Sequence, residues 1–110
     1  MRQSTTKIKR GDIYWVNFNP TIGTEIKKIR PALIIFSSNK RTIVLPISSK
    51  TEKVDKWQLV IERLVKDRDG KILFDQIRAF DKQRLLKKLG EIKEKEMIKV
   101  SQILKKILLL

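Results

Sequence analysis

The chain has no cysteine and no histidine. Without cysteine there are no disulfides and no thiolate metal ligands, and nothing argues for an oxidising compartment. Without histidine the commonest general base and the commonest zinc ligand are both gone, so any catalysis must be built from carboxylates, Arg, Lys, Ser, Thr or Tyr. Acidic side chains are scarce as well. Twelve Asp and Glu face 26 Lys and Arg, a net charge of +14, which makes a polyanion the default partner, nucleic acid first and an acidic protein second. Residues 1–50 hold ten basic and two acidic side chains, so the first half is the more one-sided. No hydrophobic run approaches the length of a membrane span, and Met1 to Lys9 is a polar, basic arm expected to be flexible, without an apolar signal core. A cytoplasmic protein with no membrane association is expected.

What is present suffices for one domain. At 110 residues and 41% hydrophobic content the chain can bury a modest core, and no linker or internal repeat divides it. Gly11 to Phe18 alternates as a strand, with Ile13 and Trp15 on one face and Tyr14, Val16 and Phe18 on the other. A long loop follows, carrying Glu25, Lys27, Lys28 and Arg30. Pro31 to Ser37 is apolar on both faces, as a central, doubly buried strand would be, with Pro31 at its start because proline donates no ladder bond. After a short turn at Ser38 to Arg41, Thr42 to Ile47 reads as the next strand and delivers Ser48 to its far end. If these two strands form an antiparallel hairpin, Arg30 lies beside Ser48 although eighteen positions separate them.

Residues 50–56 form a charged, mobile loop, Trp57 to Ile61 a fourth strand, and Asp67 to Gly70 a tight turn with Gly70 in a left-handed conformation. Lys71 to Asp75 and Gln76 to Phe80 read as short strands. Asp81 caps a short helical piece, Gln83 to Leu89, that Gly90 ends. From Glu94 onward Met97, Val100, Leu104 and Ile107 recur at helical spacing, with Glu94 and Glu96 in the dipole-favoured first turn. Five or six short strands and a terminal helix make a mainly β, α+β fold, a small antiparallel barrel closed by that helix.

Several side chains are candidates for chemistry. Arg30, stiffened by Pro31 at a sheet rim, can clamp a phosphate with two hydrogen bonds, though surface arginines before proline are common. Ser48 gains interest only through its inferred closeness to Arg30. Glu25 is either a general base or a weak ion-pair partner of Lys27 or Lys28. Asp67, Asp69 and Asp75 match no calcium loop, and no metal site or cofactor is expected. The seven aromatic side chains are too few for a stacking platform and most belong to the core; Trp57, beside a basic loop, is the candidate to stack on a base.

Arg10-Gly11-Asp12 opening an aromatic strand, Asn19-Pro20, Gly23-Thr24-Glu25, Arg30-Pro31, and Asp75-Gln76-Ile77-Arg78 followed by Asp81-Lys82 together resemble the MazF/PemK family of toxin endoribonucleases. The likeness runs from about Lys9 to Val100. It implies an SH3-like barrel that works as a homodimer, cuts single-stranded RNA without metal, and is neutralised by an acidic antitoxin. Carried over, the catalytic arginine is Arg30, the loop glutamate Glu25, and a base-contacting glutamine Gln76. Lys27, Lys28, Arg78 and Trp57 are expected, on their own charge or aromatic character, to bind the RNA as well. The family commonly has threonine where this chain has Ser48. Two other functions stay open: the composition also suits a barrel that grips nucleic acid without cutting it, and the resemblance also allows a toxin of the same fold acting on a topoisomerase.

Overall fold

The computed structural model describes residues 7–25 and 28–109; part of the basic arm, Ile26, Lys27 and Leu110 lie outside it. The first strand, β1, spans Asp12–Asn17, and β2 spans Ile29–Ser37. They pair antiparallel in the register Ile13↔Leu33 to Asn17↔Ile29. The third, β3, Arg41–Ser48, returns from β2 through the turn at Ser38, whose N–H donates to the Arg41 carbonyl at 2.9 Å. Then come β4 (Gln58–Val65), β5 (Arg68–Leu73), β6 (Arg78–Asp81) and β7 (Leu85–Glu91), and last α1 (Glu94–Leu108). The sheet runs β4-β5-β3-β2-β1-β7, with β6 paired to the first half of β3, and curls into an antiparallel half-barrel.

Alternation along β1 to β3 feeds two cores, one on each face of the sheet. Ile13, Leu33, Leu45 and Ile47 point to the side where Val100 and Leu104 of α1 pack, with Ile72 and Phe74 between them. Tyr14, Val16, Phe18, Ala32, Ile34, Val44 and Phe80 fill the other side. The central strand is therefore buried on both faces, as its sequence predicts. Proline is placed differently. Pro31 is the third residue of β2, not the first, and it sits opposite Trp15 before pairing with β3 begins at Ala32↔Pro46. Pro46 is likewise inside β3. It falls in the gap where β3 leaves β6, paired as far as Val44↔Arg78, and takes up β5 at Ile47↔Ile72, so its missing donor interrupts neither ladder.

Other expectations are corrected as well. The tight turn is Lys66–Asp67, with φ of 49° and 63°, and β5 has already begun at Arg68. Gly70 is a buried strand residue instead: a Cβ there would stand 2.8 Å from Ile47 Cγ2 and 3.1 Å from Leu64 Cδ2, so the position requires the absence of a side chain. The piece Gln83 to Leu89 is mostly strand. Asp81 does cap, accepting from the Gln83 N–H at 2.8 Å, but the helix it opens is a single 3₁₀ turn, Lys82–Arg84, before β7 starts. Gly90 then pairs with Ile13 rather than ending a helix. Gln76, expected to open a strand, ends a 3₁₀ turn, Phe74–Gln76, on which α1 rests. Phe36, expected in the core, is half exposed.

Candidate active site

The β1–β2 loop is closed at its neck by backbone and by asparagine. The Phe18 N–H donates to the Lys28 carbonyl at 2.9 Å, and the Lys28 N–H returns to Asn19 Oδ1 at 3.0 Å. Beneath the neck lies Phe80, edge-on to Phe18 at 5.3 Å, with the guanidinium carbons of Arg78 and Arg84 at 4.4 and 4.9 Å from its ring centre. These cations are spent on the loop. Arg78 donates to the Phe18 carbonyl at 3.2 Å, and Arg84 to the carbonyls of Asn17 and Asn19. Arg78, expected to bind RNA, is therefore half-buried and engaged in holding the loop.

The loop delivers Arg30 to β2. Extending the β2–β3 register by two places from Ala32↔Pro46 sets Arg30 opposite Ser48, and both side chains line a cleft of about 490 Å³. This is the juxtaposition inferred from the hairpin. Ser48 is buried, and its Oγ accepts from the Lys50 N–H at 3.1 Å, which leaves the hydroxyl hydrogen to donate. Trp15 and Pro31 form one wall of the cleft. The opposite wall comes from the end of the β4–β5 hairpin, where Lys66, Arg68 and Asp69 stand.

Glu25 does not line this cleft. Its Oε1 accepts from the Ile22 N–H at 2.8 Å, and it shares a separate depression of about 260 Å³ with Gln76 and Arg78. The expected site residues thus fall into two groups, Arg30 with Ser48 and Glu25 with Gln76 and Arg78. Lys28 is exposed, its backbone serving the neck, and Lys27 lies outside the described residues. Trp57 is also exposed, at 39%, with the Lys56 ammonium 4.8 Å from its ring, and it does not line the cleft. In the sequence Lys66 and Arg68 read as residues at a turn and Trp15 as core; pairing of β1 with β2 sets Trp15 beside Arg30, and pairing of β5 with β3 brings the end of the β4–β5 hairpin, with Lys66 and Arg68, to the same cleft. Among the described residues, no group of three or more Asp or Glu is placed to hold a metal ion.

A second polar centre lies at the start of β1. Asp12, 1% exposed, accepts from the Lys9 N–H at 2.8 Å and pairs with the Lys88 ammonium at 3.3 Å, which also meets Glu91 at 3.0 Å. The bond to Glu91, reinforced by Asp12, raises the Lys88 pKa, and the same bond lowers that of Glu91. Burial, with Asp12 nearby, pushes the Tyr14 hydroxyl up. Arg10 fastens the helix to the sheet, donating to Ser101 Oγ at 2.8 Å and to the Ile35 carbonyl at 3.4 Å.

A basic half-barrel with an arginine and a hydroxyl side by side in one cleft is a frame suited to a polyanion. The chain belongs to the PemK-like, MazF-like toxins of type II toxin–antitoxin systems, whose family profile matches residues 9–108. It is 32% identical over 105 residues to endoribonuclease EndoA of Bacillus subtilis, covering 88% of this chain and 90% of that one. Endoribonuclease MazF of Staphylococcus epidermidis is likewise 32% identical over 105 residues, with 88% of each chain covered. In fold it is similar to the crystal structure of MazF from Deinococcus radiodurans, with a TM-score of 0.81, 22% identity, and 94% and 97% of the two chains covered. A mycobacterial endoribonuclease in complex with its cognate antitoxin superposes with a TM-score of 0.74 at 20% identity, covering 94% and 97%.

Proposed function

We propose that this chain is a MazF-like endoribonuclease toxin that cuts single-stranded RNA in the cleft between Arg30 and Ser48, through attack of the ribose 2'-OH on the adjacent phosphate. The observation that carries the reading is a rim arginine set beside a hydroxyl donor in one open cleft, in a chain whose relatives are named endoribonucleases. Arg30 neutralises the pentacoordinate phosphorane. An arginine is always charged at working pH, so charge stabilisation and not proton transfer is its role. Ser48 adds a hydrogen bond to the same charge, standing in for the family's threonine. Glu25 shapes the loop that ends at Arg30, and Gln76, in the neighbouring depression, contacts a base. The cleft walls accept a strand whose bases are splayed, which selects single-stranded over duplex RNA.

The nucleophile is the substrate's own hydroxyl because the chain has no His or Cys and, among the described residues, the carboxylates are not grouped as a ligand cage. Cleavage is expected to persist in excess chelator and to leave a 5'-hydroxyl and a 2',3'-cyclic or 3'-phosphate, and a 2'-deoxy sugar at the cut position should stop it. Metal-dependent products ending in 5'-phosphate would overturn the mechanism. Intact RNA would favour a non-cutting binder or a topoisomerase-directed toxin instead.

The working form is a homodimer in the cytoplasm, neutralised by an acidic antitoxin whose binding weakens with salt. The half-exposed Phe36, Ile98 and Leu108 and the exposed Leu109 supply apolar surface for a second copy, whereas Ile107 packs on the chain's own core. A monomer mass in light scattering at micromolar concentration would refute the dimer.

A further inference from the structure

The far wall of the cleft has a structural oddity. Strand β4 loses its register with β5 between Ile61 and Val65, where Arg63 takes φ of 53°, and regains it only at Val65↔Arg68. Asp69 Oδ1 accepts from the Arg63 N–H at 3.1 Å and so fixes the bulge. The end of the hairpin stands at the same cleft as Arg30 and Ser48, which Val65, Lys66, Arg68 and Asp69 all line. Lys66 and Asp67 then close the hairpin as a two-residue turn with both φ values positive. Asn-Gly or Asp-Gly is the favoured chemistry for such a turn, because the left-handed region crowds Cβ against a carbonyl oxygen, a cost glycine lacks and asparagine or aspartate offsets with a local hydrogen bond. A lysine there is a poor choice for the turn and a good one for placing an ammonium group at the tip. Asp69, the carboxylate on this wall, has one oxygen committed to the bulge.

We propose that the tip of the β4–β5 hairpin is a backbone-gripping arm for the RNA, in which Lys66 and Arg68 hold a phosphate flanking the one that lies between Arg30 and Ser48. A phosphodiester chain carries one charge per nucleotide, so a strand laid in the cleft brings a second phosphate to the wall facing Arg30. The arm fixes the register of the strand without reading its bases. This deepens the assignment of the cleft as the cutting site and rests on it.

The test uses the full chain and a single-stranded, mixed-sequence RNA with 2'-O-methyl sugars throughout, which binds but offers no nucleophile. Affinity is measured over a range of salt for the wild type, Lys66→Asn and Arg68→Gln, with the thermal midpoint of each. Loss of one phosphate contact should flatten the slope of log affinity against log salt by about 0.7. Lys66→Asn should do this while leaving the thermal midpoint unchanged or higher, since asparagine suits the turn better than lysine. A merely structural lysine would show no such opposition of binding and stability. An unchanged salt slope in both variants, or a weaker affinity that follows a lowered midpoint in Lys66→Asn, would overturn the arm. Cleavage of ordinary RNA by Arg30→Ala is measured beside it: undiminished cutting there would refute the site, whereas the salt slopes judge the arm independently.

Discussion

Gly70→Ala adds one methyl group where β5 crosses β3. The new Cβ would stand 2.8 Å from Ile47 Cγ2, 3.1 Å from Leu64 Cδ2 and 3.3 Å from Leu64 Cβ, against an ordinary contact of 3.4–4 Å. Both neighbours are core residues, Ile47 at 2% and Leu64 at 9% exposure, so neither can swing into solvent. Overpacking of this kind costs about 2 kcal/mol, while the stiffer unfolded chain returns about 0.5 kcal/mol, leaving a net loss of about 1.5 kcal/mol. For a domain of this size that lowers the melting midpoint by about 6 °C. Denaturant unfolding of the two single variants and the double variant Gly70→Ala with Ile47→Leu forms the assay, because leucine has no γ2 methyl at the point of conflict. The double variant should recover about 1 kcal/mol relative to additivity. A Gly70→Ala protein within about 0.5 kcal/mol of wild type, or strict additivity with Ile47→Leu, would refute the close-packing account.

Removing Arg30 as Arg30→Ala should lower the cleavage rate by about 100-fold to 1000-fold with the fold intact, Ser48→Ala should cost less, and Ser48→Thr little; near-native cutting by Arg30→Ala would overturn the assignment. Arg84→Met takes a donor from the carbonyls of Asn17 and Asn19 and a cation from Phe80, and should cost about 2 kcal/mol in urea unfolding, with Arg84→Lys intermediate because it keeps charge but not the fork. Lys88 has a raised pKa, so its contribution to stability is complete below its ordinary 10.5 and is lost as pH climbs through the folded value. Glu91 has a lowered one, so its contribution is present above 4.5 and is lost as pH falls through the folded value. Lys88→Met should therefore flatten both limbs of a stability–pH curve and cost about 2 kcal/mol at neutral pH by leaving buried Asp12 with only the Lys9 N–H. An alkaline fall should remain in that variant, because the buried Tyr14, whose pKa is raised, still loses stability above 10.0; identical curves for variant and wild type would refute the ion-pair account.

The sequence by itself determined the elements whose evidence is local or strongly periodic. β1 and the terminal helix follow from spacing, and the doubly apolar run before Phe36 announced a central strand. The hairpin turn at Ser38 to Arg41 set β2 beside β3 and so brought Arg30 near Ser48, but the register it starts, Ser37↔Thr42, slips by one residue between Phe36 and Ile34, and only that bulge puts Arg30 opposite Ser48 rather than Ser49. What only the tertiary structure decided concerns residues whose local chemistry points the wrong way. Gln83 to Leu89 has helical composition, yet it is drawn into strand β7 because β1 offers it an open edge, and such long-range pairing overrides local propensity. Gly70 follows an aspartate as a turn glycine does, but packing against Leu64 on the paired strand and Ile47, twenty-three residues away, is what requires it. Glu25 sits five residues from Arg30 in sequence and yet in a different depression, because the closed neck of the loop turns it away. Lys66 and Arg68 reach the cleft because β5 pairs with β3 beside Ser48, a contact between strands more than twenty residues apart that no stretch of sequence carries alone.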